Sequence, residues 1–300
     1  MAAVKTRSVP SKMSQPHQQV APQSVELSVI VVAYNSPALL QATLVSVIEQ
    51  TRGVGYELIV VDNASTDPGV RAVTDGLPQV RLVAARRNLG YAAANNLGLQ
   101  LSQGRYVCLL NPDTVLHDDA LSMLVRWLDE HPAVGAAGPL LLQPNGEPQP
   151  YSYGSVPTPW YLLRRGWSHL WGTYLHAWRP AAPQSADWVA GTCMMVRRAA
   201  LDEVGQLDER FFLYFEDVDW GLRFNARGWK VILVPSFAIT HVGGGSVGRS
   251  TSHFYDRSLV RLYAKLYGGL VAAGVWTILR LYRAVQHVVR RIGQQWRARR

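Results

Sequence analysis

The feature that most constrains the fold is a regular alternation of two periodicities between residues 26 and 111. Four apolar runs of strand length, "ELSVIVVAY", "YELIVVD", "VRLVAAR" and "RYVCLLN", are separated by segments with helical character. In the first of these, Leu39, Leu40, Leu44, Val47 and Ile48 recur at helical spacing. "DPGVRAVTDGL" and "YAAANNLGLQLS" read as two further helices. Strands that alternate with helices join through right-handed crossovers, so the sequence predicts a mainly parallel sheet with helices on both faces. Ligands of such sheets sit beyond the carboxyl ends of the strands.

The polar clusters fall there. "VDNASTD" follows the second strand, and its Asp, Asn, Ser and Thr are the residues of a turn followed by a helix cap. "LLNPDTVL" follows the fourth, with Pro112 imposing an extended entry to the turn. A carboxylate at a strand end also suits a hard divalent cation bound to phosphate, which needs only one or two protein carboxylates. Further on, "FFLYFEDVDWGLR" sets Phe211, Phe212, Tyr214 and Phe215 against Glu216, Asp217 and Asp219. Apolar surroundings raise a carboxylate's pKa and make it a better base near neutrality. The same segment reads as the start of an amphipathic helix. Phe215, Val218 and Leu222 share one side, acids favour the first turn, and Asp219 and Arg223 are spaced for a surface pair.

Charge distribution separates the remaining classes. The net charge is +9, yet residues 249–300 hold eleven Lys and Arg against the single acid Asp256, leaving the body close to neutral. A nucleic-acid enzyme would spread its basic groups around the cleft, so no nucleic-acid partner is expected. Cys108 and Cys193 lie in apolar runs without a CxxC pair and read as reduced core residues of a cytosolic protein. Residues 1–25 are polar, rich in Pro and Gln, and lack an apolar core for a signal peptide; they read as a disordered arm.

Six segments in order, "SVIVVAYNS", "ELIVVDNASTD", "RNLGYAAANN", "LLNPDT", "GTCMMVRRAALDEVGQLDERFFLYFEDVDWGLR" and "GWKVILVPSFAITHVGGGS", resemble glycosyltransferase family 2 over about residues 27–248. The long acidic segment is most similar to the rhamnosyltransferase-like members that build bacterial cell-surface polysaccharides. The resemblance implies a GT-A fold over residues 26–250, with a nucleotide-sugar half at about 26–115 and an acceptor half at about 116–250. It implies transfer of a sugar from a nucleotide diphosphate donor, with inversion, to a saccharide or lipid-linked acceptor. Ala33, Tyr34, Asn35, Asp62, Asn88, Gly90, Asn111 and Asp113 would line the donor, Gly90 by allowing close backbone approach. The family's Asp-x-Asp metal motif is here Asn111-Pro112-Asp113, which leaves Asp113 as the carboxylate for Mn²⁺ or Mg²⁺. His241 matches a position where some relatives supply a further metal ligand; imidazole suits Mn²⁺ better than Mg²⁺. Asp217 would be the general base and Glu216 its neighbour in binding or orienting the acceptor.

The aromatic segment 151–183 has no clear strand pattern and reads either as an irregular packed excursion or as an acceptor-side lid. Residues 251–300 read as a separate basic amphipathic tail. Ile278, Leu281, Tyr282, Val285, Val288, Val289, Ile292 and Trp296 form one apolar arc, with Arg280, Arg283, His287, Arg290 and Arg291 opposite. That pattern fits a helix lying on an anionic membrane surface, hence a cytoplasmic protein attached peripherally to the inner face of the plasma membrane. A helix packed on the domain or on a second subunit is the alternative, and the oligomeric state is not legible. Two other functions compete. A sugar nucleotidyltransferase would show a Gly-rich basic loop after its first strand, absent from "VVAYNSPALLQ"; a non-catalytic protein of degenerate fold would not need Asp113, Asp217 and His241. A processive synthase would carry a Gln-x-x-Arg-Trp motif, which is missing.

Overall fold

In the computed structural model the described residues are 25–170, 178–243 and 251–298, so residues 1–24 of the expected arm lie outside them. The chain runs β1 (Leu27–Ala33), α1 (Pro37–Gln50), β2 (Tyr56–Asp62), α2 (Gly69–Asp75), β3 (Val80–Ala84), α3 (Tyr91–Leu101) and β4 (Tyr106–Leu110). These are the alternating elements expected from the periodicity. There follow β5 (Thr114–Leu116), α4 (Ala120–Glu130), β6 (Val134–Leu142), β7 (Tyr153–Gly154), α5 (Pro159–Leu170), β8 (Gln184–Ala186), β9 (Trp188–Val189) and β10 (Cys193–Arg197). The chain ends in α6 (Arg198–Val204), α7 (Glu216–Ala226), β11 (Lys230–His241), α8 (Ser252–Tyr267) and α9 (Gly269–Ala298).

The main sheet has the order β3-β2-β1-β4-β10-β6-β11-β5, with β8 also paired to β11. The first four strands are wholly parallel, and β6 and β11 are parallel to each other. Strand β10 enters antiparallel between β4 and β6, with Cys193 opposite Leu110. That reversal brings the amino end of β10 to the carboxyl ends of β1, β2 and β4.

The β1 side chains are all buried, which explains a continuous apolar run where an alternating one would leave a wet face. One face packs under α1, α2 and α4 through Leu40, Leu44, Val70, Leu121 and Leu124; the other packs under α3, α6 and α7 through Ala92, Leu99, Leu201, Trp220 and Phe224. Cys108 and Cys193 are buried free thiols whose sulfurs lie 3.8 Å apart across β4 and β10.

The C-terminal helices pack on the rest of the chain. Leu262 and Leu266 of α8 pack against Phe211 and Val218, the Ser258 hydroxyl donates to the Leu213 carbonyl at 2.8 Å, and Tyr263 donates to the Pro157 carbonyl at 2.5 Å. Helix α8 therefore packs against the body of the chain. Helix α9 packs back on α8 through Ala272, Val275 and Leu279. This contact uses a face of α9 other than the predicted apolar arc, so Ile278, Leu281 and Tyr282 remain exposed. The rest of that arc, from Val285 onward, lies beyond the described side chains. No described helix is long and apolar enough to cross a membrane.

Candidate functional site

The carboxyl ends of β1, β2 and β4 open onto a cavity of about 990 Å³, large enough for a nucleotide with an attached sugar. Tyr34, Asn88, Gly90, Asn111, Asp113, Glu216, Asp217 and His241 all line it. Eight of the eleven residues singled out from the sequence thus meet at one place, although they come from segments spread over two hundred positions.

Three do not. Ala33 is buried in the core. Asn35 is exposed and left-handed at φ 51°, and its side-chain oxygen accepts from the backbone N–H of Thr66 at 2.8 Å and of Asp67 at 3.1 Å. It staples the loop after β1 to the loop after β2. Asp62 accepts from the Ser65 backbone at 2.9 Å, the turn contact that its sequence context allows. Beside it lies Asn63, a cavity residue the sequence reading missed. Only 4% exposed, it donates to the Asn88 side-chain oxygen at 3.1 Å and accepts from the Leu89 N–H at 2.8 Å, holding the 88–90 segment against β2.

Gly90 also permits a close contact within the protein. It has φ 83°, and a Cβ there would lie 2.4 Å from the Phe212 carbonyl oxygen, which accepts from Tyr91 N–H at 2.7 Å. The glycine thus lets the aromatic 211–215 segment close over the start of α3. The next strain follows directly: Tyr214 and Phe215 are consecutive left-handed residues, at φ 70° and 69°. Non-glycine residues adopt this conformation at a cost, and here it turns the chain so that α7 begins with Glu216 and Asp217 at the cavity wall.

The two acids differ in their surroundings. Asp217 accepts from Gly191 N–H at 2.9 Å and from Val218 N–H at 2.8 Å, one bond to each oxygen. Burial pushes its pKa up and these backbone bonds pull it part of the way down. Glu216 is 5% exposed and its Oε2 has no partner among the described residues. Burial, and then the neighbouring Asp217, hold its carboxyl well above the usual range. Tyr91 completes the cluster by donating to the Gly191 carbonyl at 2.6 Å, which holds the residue whose N–H binds Asp217. Burial first, then the two acids, raise its phenol.

Asp219 is not the surface partner of Arg223 that its spacing suggested. It is 2% exposed and is held by Arg223 at 3.0 Å and Lys265 at 2.6 Å, so it joins α7 to α8 and stays away from the cavity.

Elsewhere in the cavity lining, His241 Nε2 lies 3.1 Å from Asp113 Oδ1. The last residues of β11 pair with β5, which places His241 opposite Thr114 and brings it beside Asp113. Its Nδ1 lies 2.8 Å from Gln149 Oε1. Gln149 carried no signal in the sequence; it arrives from the connection after β6. No group of three or more His, Cys, Asp or Glu suited to a metal occurs among the described residues. Two converging donors, one carboxylate and one imidazole, nevertheless suit a cation whose other positions are filled by phosphate and water. An acceptor on Nδ1 is what keeps Nε2 available as a ligand.

The aromatic segment contributes Tyr151, Ser155, Pro157 and Tyr161 to the cavity, and α8 contributes Phe254 and Tyr255. Trp178 is buried edge-on against Tyr151 and Tyr153.

Residues 28–205 match the family described as Glycosyl transferase family 2. The chain is 31% identical over 277 residues to an N-acetylglucosaminyl-diphospho-decaprenol L-rhamnosyltransferase of Mycobacterium tuberculosis, covering 84% of this chain and 89% of the relative. Its fold is similar to that of a mannosyltransferase from Pyrobaculum calidifontis in complex with GDP-Man and Mn²⁺, with TM-score 0.55, 22% identity, and coverage of 82% of this chain and 67% of the other. It is also similar to GalNAc-T7 with UDP, GalNAc and Mn²⁺, with TM-score 0.59, 18% identity, and coverage of 81% and 48%. With a matching family over more than half its length and a strand-end cavity, the chain belongs to glycosyltransferase family 2 and is a rhamnosyltransferase-like glycosyltransferase of the GT-A fold.

Proposed function

We propose that the protein is an inverting, metal-dependent transferase that moves a deoxyhexose, rhamnose in the first instance, from a nucleoside diphosphate to a lipid-linked saccharide. The observation that carries this reading is the meeting, in one cavity, of a raised acid pair and a carboxylate-imidazole pair. The donor sugar and the acceptor are suggested by the rhamnosyltransferase of M. tuberculosis, whose name specifies a diphospho-decaprenol acceptor.

Asp113 and His241 would hold Mn²⁺ or Mg²⁺, with Gln149 orienting the imidazole. Such an ion would neutralise the donor's diphosphate. Tyr34 and the 88–90 segment, braced by Asn63, would flank the nucleoside. Asp217 accepts the proton of the acceptor hydroxyl as that oxygen bonds to the anomeric carbon; the bond from that carbon to the diphosphate breaks, and its electron pair leaves with the diphosphate. Glu216, uncharged in its buried seat, would donate its proton in a hydrogen bond to a sugar hydroxyl. The aromatic walls exclude water, which would otherwise take the place of the acceptor.

The exposed face of α9 supports attachment to a membrane. Leu270 is 93% exposed, Ile278 and Leu281 63% each, and Tyr282 54%, all on one side of the helix. Attachment at the cytoplasmic face would place the cavity near a lipid-linked acceptor. A donor panel of nucleoside diphosphate sugars, read by calorimetry with Mn²⁺ and with EDTA, tests the reading. Tight, metal-dependent binding of one donor supports it; no binding of any donor would favour a non-catalytic protein.

A further inference from the structure

Among the described side chains, the basic residues of α8 and α9 do not surround the exposed apolar stripe of α9. They turn the other way, into a second concavity of about 760 Å³ between α8, α9 and the start of the 210–215 segment. Arg210, Arg257, Arg261, Lys265, Arg280 and Arg283 line it, against the single acid Asp256. On α8, Arg257, Arg261 and Lys265 are spaced i, i+4 and i+8, a ridge of like charges. Packing α9 on α8 sets Arg280 and Arg283 against that ridge. Without a ligand this convergence is unfavourable.

Some of the charge is compensated. Arg283 makes a two-pronged ion pair with Asp256 at 2.9 and 3.0 Å, and Arg210 and Lys265 share Asp208 at 2.6 and 3.0 Å. Arg257, Arg261 and Arg280 have no ion pair among the described residues. Arg280 lies 5.0 Å over the ring of Trp276, which holds the guanidinium at the groove while leaving its N–H donors available. Val260, Ala264 and Leu279 add apolar surface to the lining, a lower-dielectric setting for charge pairing.

We propose that this groove binds a phosphate monoester or diphosphate anion, at a site separate from the catalytic cavity. Guanidinium groups match phosphate oxygens in two-pronged geometry, and three unpaired arginines on two helices suit one such group better than a carboxylate. Helix α8 is the wall between the two sites, since Phe254 and Tyr255 face the catalytic cavity while Arg257 and Val260 face the groove. An anion bound there ties α9 to α8. The chemistry is shared by a lipid headgroup and by a free diphosphate, and the test separates them.

The experiment uses the full chain in EDTA, which removes metal-bridged diphosphate binding in the catalytic cavity. Three probes are titrated: inorganic pyrophosphate, geranyl diphosphate, and phosphatidylcholine vesicles with and without phosphatidic acid. The variants are the triple Arg257→Gln, Arg261→Gln, Arg280→Gln and the corresponding triple Arg→Lys. Loss of three exposed charge-assisted contacts should weaken binding by about 10- to 100-fold, with the Lys triple intermediate. Pyrophosphate binding that the Gln triple loses assigns a free diphosphate as sufficient. Binding confined to geranyl diphosphate or to phosphatidic acid vesicles, and lost in the Gln triple, assigns a lipid headgroup. Equal binding of every probe by wild type and Gln triple, or no binding of any probe by wild type, overturns the proposal. Nucleotide-sugar binding in Mn²⁺, measured on the same variants, should be unchanged; this keeps the result distinct from the fate of the catalytic reading.

Discussion

Asp217→Asn separates the structural role of the acid pair from its chemical role. The carboxylate gives one oxygen to Gly191 N–H at 2.9 Å and the other to Val218 N–H at 2.8 Å. An amide has one acceptor oxygen, so one of these N–H groups would face an NH₂ and lose its partner. Leaving a part-buried donor unsatisfied costs about 1–3 kcal/mol, which should appear as a lower Tm. Loss of the base should lower kcat by about two to four orders of magnitude, equivalent to about 2.7–5.5 kcal/mol in the barrier. The two effects fall on different observables. Donor affinity should stay near wild type, because Asp217 makes none of the proposed metal and nucleoside contacts. A third readout follows from the neighbouring acid: the charge of Asp217 is the second cause, after burial, holding Glu216 up, so the Glu216 pKa should fall in the variant. In wild type, kcat/KM should fall on the acid side at a pH above the ordinary carboxylate range, since burial raises Asp217 and only its ionised form accepts a proton. The assay is release of nucleoside diphosphate at saturating donor and acceptor, followed from pH 4 to 9. A kcat within tenfold of wild type, with that acid limb intact, would refute the assignment and move the base to Glu216.

Three further outcomes are expected. Glu216→Gln should stabilise the protein as pH rises: the folded state keeps a proton that the unfolded chain releases above its ordinary pKa, so wild type loses up to about 1.4 kcal/mol per pH unit relative to the variant until the folded pKa is passed; parallel curves of Tm against pH would contradict the buried neutral acid. Asp113→Ala should abolish metal-dependent donor binding, and Gln149→Ala should weaken Mn²⁺ binding by about 10- to 100-fold through loss of imidazole orientation, while nucleotide affinity in EDTA stays unchanged; Mn²⁺ affinity equal to wild type in Gln149→Ala, read by electron paramagnetic resonance, would remove that glutamine from the site. Truncation after Ala284 should reduce vesicle binding yet leave activity on a soluble acceptor, whereas truncation after Tyr267 should also lower Tm because it uncovers Leu259 and Tyr263, now 4% and 0% exposed; equal Tm for the two truncations would show that α9 adds nothing to the body.

Much of this molecule is local and was therefore legible in the sequence. Strand and helix periodicities are set within a dozen residues, and the four strands and three helices from Leu27 to Leu110 fall where the apolar patterns place them. The acid pair was legible for the same reason, since its aromatic flank is adjacent in sequence and its desolvation follows from those neighbours. The tertiary structure decided the contacts that join distant segments. Gln149, His241 and Asp113 stand 92 and 128 positions apart along the chain and meet only because β11 pairs with β6 and β5. Gly191 reaches Asp217 because β10 runs against its neighbours, and Gly90 is required by a carbonyl at Phe212. Asp219 and Arg223 show the limit most simply: their spacing predicts a pair, but whether that pair is wet or buried depends on α8, which supplies Lys265 from forty-six residues on. Spacing along one element determines which side chains share a face, and what covers that face is decided by the rest of the chain.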